Sequence, residues 1–188
     1  MNKKEFSRRL PDSMRTCVSD FRTTSWDKDN KVFMTECTLP VLNFDLIAKK
    51  HRDDNAYIEP LSSNDAYYVT SDGRRYFIEF KNGGIKAKKI NAKATASVLL
   101  SIDMGLFQDF HDVQENCSYI LVYNEEKYPP SAQTMDDFLQ LLSCKSRQLE
   151  QVQSIRWIYK DVTSLTKKEF EQEFIQKIVA PEYPSVSS

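Results

Sequence analysis

Glycine, histidine and long apolar runs are all scarce in this chain of 188 residues, and each scarcity excludes a class of protein. Its four glycines are placed so that neither a Gly-x-Gly-x-x-Gly loop nor a P-loop can be assembled, which argues against the common nucleotide-binding folds. The only two histidines, His51 and His111, are far apart, which excludes His-Glu-x-x-His proteases and histidine-based metal nucleases. No stretch is long and apolar enough to span a bilayer, so no membrane partner is expected.

Cysteine spacing and charge balance give two further limits. The cysteines are scattered and lack Cys-x-x-Cys spacing, which predicts reduced, mostly buried thiols rather than disulfides or a zinc site. The 26 basic residues nearly balance the 27 acidic ones, so any nucleic-acid-binding surface must be local. No apolar run follows the basic N-terminal residues, so no secretory signal is expected and the predicted location is cytoplasmic.

The length favours one α/β (α+β) domain with additions at its ends. Residues 1–39 lack clean periodicity and are expected to pack on the core as an extension, residues 40–180 to form the domain, and residues 181–188 to be a flexible tail. The periodicity predicts a mixed sheet flanked by helices. The expected elements are helices over 40–52, 87–107 and 132–144, a capping box at Thr166–Glu169 opening a last helix, and strands over 56–59, 64–70, 74–81, 117–123 and 155–159.

The two strands around residue 72 carry the most information about function. Because side chains alternate along a strand, Glu79 and Lys81 point to one face with Phe77 behind them. Tyr76, Ile78 and Phe80 are then expected to point the other way, into the core. Opposite charges on an otherwise apolar strand are costly unless they are paired, hydrated or bound to a metal. This segment is therefore predicted to form a site.

The turn between these strands decides whether Asp65 joins the same face. A two-residue Asp72-Gly73 loop places Asp65 opposite Phe80, whereas a three-residue loop that begins at Ser71 places it opposite Glu79. We favour the longer loop, because Gly73 then takes the left-handed position and Asp65 is not buried. Directly opposed β-carbons lie about 4.5–5.5 Å apart, so the two carboxylates could share one divalent cation.

The order of helix, hairpin, Glu-x-Lys strand, helix and buried strand over residues 40–124 resembles the core of the PD-(D/E)xK nuclease superfamily. Asp65, Glu79 and Lys81 match its motif, although Asn64 stands where the superfamily has proline. The resemblance implies a restriction-endonuclease-like fold and a nuclease that uses Mg²⁺ or Mn²⁺. Asp65 and Glu79 would bind the metal and Lys81 would activate water. An acid from the preceding helix often completes such a site.

Two residues are candidates for that additional acid, Asp45 and, as the alternative, Glu36. A local group of basic residues is expected to contact phosphates, with DNA favoured over RNA as the partner: Arg75, Lys86, Lys89 and Lys93. The alternative function is a non-catalytic binding or interaction module of the same fold, which an exposed apolar face around Phe170 and Phe174 would favour. A homodimer, a protein partner and a regulatory or immunity role all stay open.

Overall fold

The computed structural model describes residues 3–56, 59, 61–127, 152 and 154–183. Its strands are β1 Val18–Asp20, β2 Trp26–Asp27, β3 Val32–Phe33, β4 Pro40–Asn43, β5 Ala66–Val69, β6 Arg75–Lys81, β7 Cys117–Tyr123 and β8 Asp161–Thr166. Six of them form one sheet in the order β1-β4-β5-β6-β7-β8, and β2 pairs with β3 alone. Pairing is antiparallel from β1 to β6 and parallel from β6 to β8, which confirms a mixed sheet.

Helices flank this sheet, as expected for an α/β domain. They are α1 Lys3–Ser7, α2 Phe21–Thr24, α3 Phe44–Asp54, α4 Ala87–Asp103, α5 Phe110–Asn116 and α6 Lys167–Glu169, which continues as a π-helix over Phe170–Val179. Short 3₁₀ turns cover Asp12–Cys17, Glu125–Lys127 and Ala180–Glu182. None of the helices within the described ranges has the length and apolar content needed to cross a membrane.

Both faces of the central hairpin are buried, whereas only one had been expected to face a core. Phe77 has no solvent exposure and packs against Phe44, Phe107 and Tyr159 on the face that also carries Glu79. On the opposite face, an aromatic layer encloses the strands: Phe6, Phe21, Tyr68, Tyr76, Phe80, Phe170 and Phe174. Phe170 and Phe174 are thus core residues, and they provide no exposed apolar face for a partner.

The three-residue turn between β5 and β6 is confirmed. Thr70 donates its backbone N–H to the carbonyl of Arg74 at 2.9 Å, and Gly73 adopts φ +85°. A side chain at this φ is strained, so glycine suits the position. The register pairs Ala66 with Ile78, and one further step along the same register sets Asp65 opposite Glu79.

Two expected elements near the ends of the domain are wrong. Pro40–Asn43 is strand β4 instead of the first turn of a helix, because its backbone pairs with β1 and β5. Proline has no N–H to donate to a neighbouring strand, but it is tolerated at the first residue of a strand. The helix starts instead at Phe44, where Asn43 caps it by accepting the Leu46 N–H at 3.1 Å.

The second wrong element is the strand expected over 155–159, because the strand that pairs with β7 lies further along the chain. The segment 155–159 forms turns and a bend, with Ile155, Ile158 and Tyr159 buried in the core and Trp157 exposed, and β8 begins only at Asp161. The capping box before α6 is confirmed, because Thr166 and Glu169 exchange backbone-to-side-chain hydrogen bonds.

Cys17, Cys37 and Cys117 are free thiols, as predicted. Helix 132–144, Cys144 and residues 57 and 58 of the expected strand 56–59 lie outside the described residues.

Glu182, just after the π-helix, ties the end of the described chain to the β5–β6 hairpin. Its Oε2 atom accepts hydrogen bonds from Arg9 at 2.5 Å and from the Tyr68 hydroxyl at 2.9 Å. Its Oε1 atom accepts from the backbone N–H and hydroxyl of Ser71. Tyr183 is also buried, so residues 181–183 belong to the packed structure, and residues 184–188 lie outside the described ranges.

Replacing Glu182 by glutamine is expected to lower the free energy of unfolding by about 2 kcal/mol, because each hydrogen bond to a charged group contributes roughly 1.5–3 kcal/mol. Burial raises the pKa of Glu182, but hydrogen bonds from Arg9 and Ser71 outweigh it, so the net pKa is lowered. The stabilisation is therefore complete above the ordinary glutamate pKa and is lost as pH falls through the lowered value.

Urea unfolding of both proteins at neutral and acidic pH measures this difference. The matched control is Glu173→Gln, which removes an exposed ion pair with Lys177 and should cost less than about 0.5 kcal/mol. A Glu182→Gln loss that equals the Glu173→Gln loss, or that persists unchanged in acid, would contradict the assigned contacts.

Candidate functional site

Two carboxylates and two ammonium groups meet at the carboxyl end of β6. Glu79 and Lys81 come from β6, Asp65 from the residue before β5, and Lys93 from the second turn of α4. Lys93 Nζ lies 3.0 Å from Asp65 Oδ1 and 2.8 Å from Glu79 Oε1. Lys81 Nζ contacts the same Oε1 atom of Glu79. The structure therefore brings together the three motif residues, together with Lys93, which had been expected to contact phosphate.

Asp65 is fixed by both its backbone and its side chain. Its carbonyl accepts the N–H of Phe44 at the start of α3, at 3.0 Å. Its Oδ2 atom accepts the N–H of Phe80 at 2.7 Å. The carboxylate thus extends the contact with β6 to the residue before the start of β5. Oδ1 then points to Lys93. The position of this carboxylate follows from the hairpin register and not from a flexible loop.

Glu79 is the deepest charged residue of the site, with no solvent exposure. Burial raises the pKa of its carboxyl group, and the Asp65 charge raises it further, whereas Lys93 and Lys81 lower it; the net direction is upward. Among the described residues, no hydrogen-bond partner reaches its Oε2 atom. A buried carboxylate oxygen without a partner is costly, and it keeps its capacity to accept a hydrogen bond or to ligate a cation.

Lys93 is held as an ammonium. Burial alone would lower its pKa, but the charges of Asp65 and Glu79 raise it more. Lys86 and Lys89 are exposed at the start of the same helix, next to the site. Arg75 is placed elsewhere: it pairs with Asp112 at 3.0 Å, at the opposite end of β6 and about 13 Å from Glu79 by strand rise.

A cleft of about 310 Å³ opens beside these groups and is lined by Asp45, Asp65 and Lys81. Asp45 lies in the first turn of α3, and the Ser63 hydroxyl donates a 2.6 Å hydrogen bond to its Oδ1. Desolvation raises the pKa of Asp45, and the neighbouring Asp65 charge adds to the rise. Glu36, the alternative acid, is not among the residues that line the cleft. Its side chain is 77% exposed and pairs with Arg22.

The N-terminal segment supplies the facing wall of this cleft, which the sequence did not indicate. Asp27, at the end of β2, accepts a hydrogen bond from the Asn82 amide at 2.9 Å. The side-chain Oδ1 atom of Asn82 accepts in turn from the side-chain amide of Asn124 at 2.6 Å. Residues 24–27 are therefore anchored to the chain just after β6. The sequence carries only a local signal here, because the run Trp26-Asp27-Lys28-Asp29-Asn30 is typical of a turn and does not specify what that turn contacts.

The residues present fit a hard divalent cation in part. Within the ranges that the structure describes, no three His, Cys, Asp or Glu side chains converge closely enough to form a complete metal site. Asp65 and Glu79 nevertheless already share one cation, the Lys93 ammonium, and one buried oxygen of Glu79 has no hydrogen-bond partner in the part of the chain that the structure describes. Carboxylate oxygens are the ligands that Mg²⁺ and Mn²⁺ prefer, with water completing the shell.

Comparisons with family models, with curated proteins and with solved structures find no match to this chain. The fold and the site define a mixed α/β domain with a carboxylate–lysine cluster at the end of a β-hairpin.

Proposed function

We propose that this protein is a Mg²⁺- or Mn²⁺-dependent nuclease with a restriction-endonuclease-like core, acting on DNA in preference to RNA. The observation that carries the proposal is the meeting of Asp65, Glu79 and Lys81 at the edge of an open cleft. The element order supports it as well, because an antiparallel hairpin, helix α4 and the parallel strand β7 follow one another as in the PD-(D/E)xK core.

The chain's own residues divide into three roles. Asp65 and Glu79 would hold the metal, and Asp45 would add a further oxygen from the cleft wall. When bound, the metal supplies Lewis-acid polarisation of the scissile phosphate and stabilises negative charge in the transition state. Lys81, whose ammonium touches Glu79 and lines the cleft, would donate a hydrogen bond to the attacking water and favour its hydroxide form.

Cleavage assays on single-stranded and duplex DNA and on RNA test the proposal directly. With Mg²⁺ or Mn²⁺ present, the protein is expected to cut DNA, and chelation by EDTA should abolish cutting. Absence of cleavage on every substrate, in a preparation that binds Mn²⁺, would refute the nuclease assignment.

Removing the two exposed lysines beside the site is expected to weaken nucleic-acid binding without stopping cleavage. Lys86→Met with Lys89→Met deletes two groups positioned to neutralise phosphates. The slope of log affinity against log salt should fall by about 0.9 for each lost contact with duplex DNA. Fluorescence anisotropy over a salt series measures the slope, and Lys167→Met with Lys168→Met is the charge-matched control. An unchanged slope would exclude these lysines from the interface.

The second candidate is a non-catalytic binding module of the same fold. The observation that favours it is Lys93, which already pairs with one oxygen of each carboxylate and is a cation that belongs to the protein. In such a module the cluster would be structural, and Mn²⁺ would not bind there. Metal binding, measured apart from cleavage, therefore discriminates between the two candidates.

A further inference from the structure

The ammonium of Lys93 lies between two carboxylates that come from opposing positions of the hairpin. Its Nζ atom is 2.8 Å from Glu79 and 3.0 Å from Asp65, and its side chain retains 22% exposure. Two close carboxylates repel each other in a poorly solvated site unless a cation lies between them. In this structure the protein provides that cation from helix α4.

We propose that Lys93 and a divalent metal ion compete for one position between Asp65 and Glu79, so that Lys93 must withdraw before the metal binds. The proposal rests on the proposed function only in taking the metal to be Mg²⁺ or Mn²⁺. The Lys93 ammonium and a divalent ion cannot both lie between the two carboxylates, because the two cations would repel each other strongly. The metal and Lys93 are therefore alternatives.

Lys81 does not play this part. Within the described residues its only ion-pair partner is Glu79, whereas Lys93 pairs with both carboxylates. Lys81 also lines the cleft, which Lys93 does not. The two lysines therefore differ in role: Lys81 lies beside the carboxylate pair, on the side where substrate would enter, and Lys93 bridges the pair.

Asp45 is the candidate partner for a displaced Lys93. It lines the cleft together with Asp65, the charge of Lys93 lowers its pKa, and a lysine side chain reorients easily about its four-carbon stem. When Asp45, Asp65 and Glu79 are all ionised, these three acids together with Lys81 and Lys93 carry one net negative charge. A divalent ion that enters makes this total positive, which favours a phosphate in the cleft. Metal binding would thus prepare the site for nucleic acid and free Lys93 to pair with Asp45 or with that phosphate.

The test measures Mn²⁺ binding without nucleic acid, by calorimetry and by electron paramagnetic resonance of free Mn²⁺. Lys93→Met removes the competing charge and keeps the side-chain length, so Mn²⁺ is expected to bind about tenfold more tightly. Lys93→Arg keeps a cation that grips carboxylates in a fork, so binding should weaken. The control is Lys88→Met on an exposed position of α4, with affinity within about twofold of wild type.

Each result then decides. Tighter binding in Lys93→Met, or binding seen only in that variant, supports competition, and loss of this binding on adding Glu79→Gln places the metal between the carboxylates. Equal or weaker binding in Lys93→Met, with Mn²⁺ bound by wild type, overturns competition and leaves the nuclease proposal standing. Absence of binding in every variant overturns both. If Lys93→Met does not fold by circular dichroism, Lys93→Arg decides alone, and unweakened binding overturns competition.

Discussion

Replacing Lys81 by methionine is expected to slow metal-dependent DNA cleavage by about 10²–10⁴-fold, the usual contribution of a side chain that assists proton transfer. The ammonium of Lys81 touches Glu79 and faces the cleft, where the attacking water would lie between metal and phosphate. Methionine fills nearly the same volume but cannot donate a hydrogen bond or carry charge. The loss should appear in kcat rather than in KM, because the group acts on the reacting water.

Two measurements distinguish this effect from misfolding. Lys160→Met deletes an exposed lysine near the start of β8, at the other end of the sheet, and should cleave at the wild-type rate. Lys81→Met should still bind Mn²⁺, because Asp65 and Glu79 are unchanged. Single-turnover cleavage by Lys81→Met at a rate equal to that of Lys160→Met would remove Lys81 from the mechanism.

Truncating Phe174 to alanine is expected to lower the free energy of unfolding by about 3–5 kcal/mol, the usual cost of deleting a buried aromatic ring. Phe174 is 1% exposed, and its ring centroid lies 5.0–6.2 Å from those of Tyr76, Phe170, Tyr68 and Phe21. A cavity there would open between the π-helix and the sheet. Guanidinium or urea unfolding followed by circular dichroism measures the change.

The controls for Phe174 use a conservative change and an exposed ring. Phe174→Leu keeps much of the volume and should cost less than about 1.5 kcal/mol. Trp157→Ala truncates a ring that is 62% exposed and should cost less than about 1 kcal/mol. Because Phe174 packs on the face opposite Glu79, folded Phe174→Ala should bind Mn²⁺ as wild type does. A Phe174→Ala cost no larger than that of Trp157→Ala would show that this face is not core.

Local geometry explains why the hairpin could be predicted from the sequence. Alternation along a strand places Glu79 and Lys81 on one face whatever surrounds them. A glycine at the last position of a three-residue turn favours one register, and that register sets Asp65 opposite Glu79. The capping box at Thr166 likewise depends on a short stretch of chain.

Elements whose type depends on distant partners were predicted poorly. The apolar residues after Pro40 suit a helix or a strand equally, and pairing with β1 and β5 decides for the strand. Alternation also predicted that one face of β6 would lie away from the core, but Phe44, Phe107 and Tyr159 cover it. A parallel-sheet strand packed on both faces loses the polar face that alternation would reveal.

Strand period and turn chemistry, which act over a few residues, are enough to place Asp65, Glu79 and Lys81 on one face of the hairpin. What surrounds these residues depends on how the whole fold packs. The packing of α4 against the sheet brings Lys93 between Asp65 and Glu79, and the contact of Asp27 with Asn82 places the N-terminal segment along the cleft. Such contacts join residues far apart in the chain and depend on how whole elements pack, which no local pattern encodes.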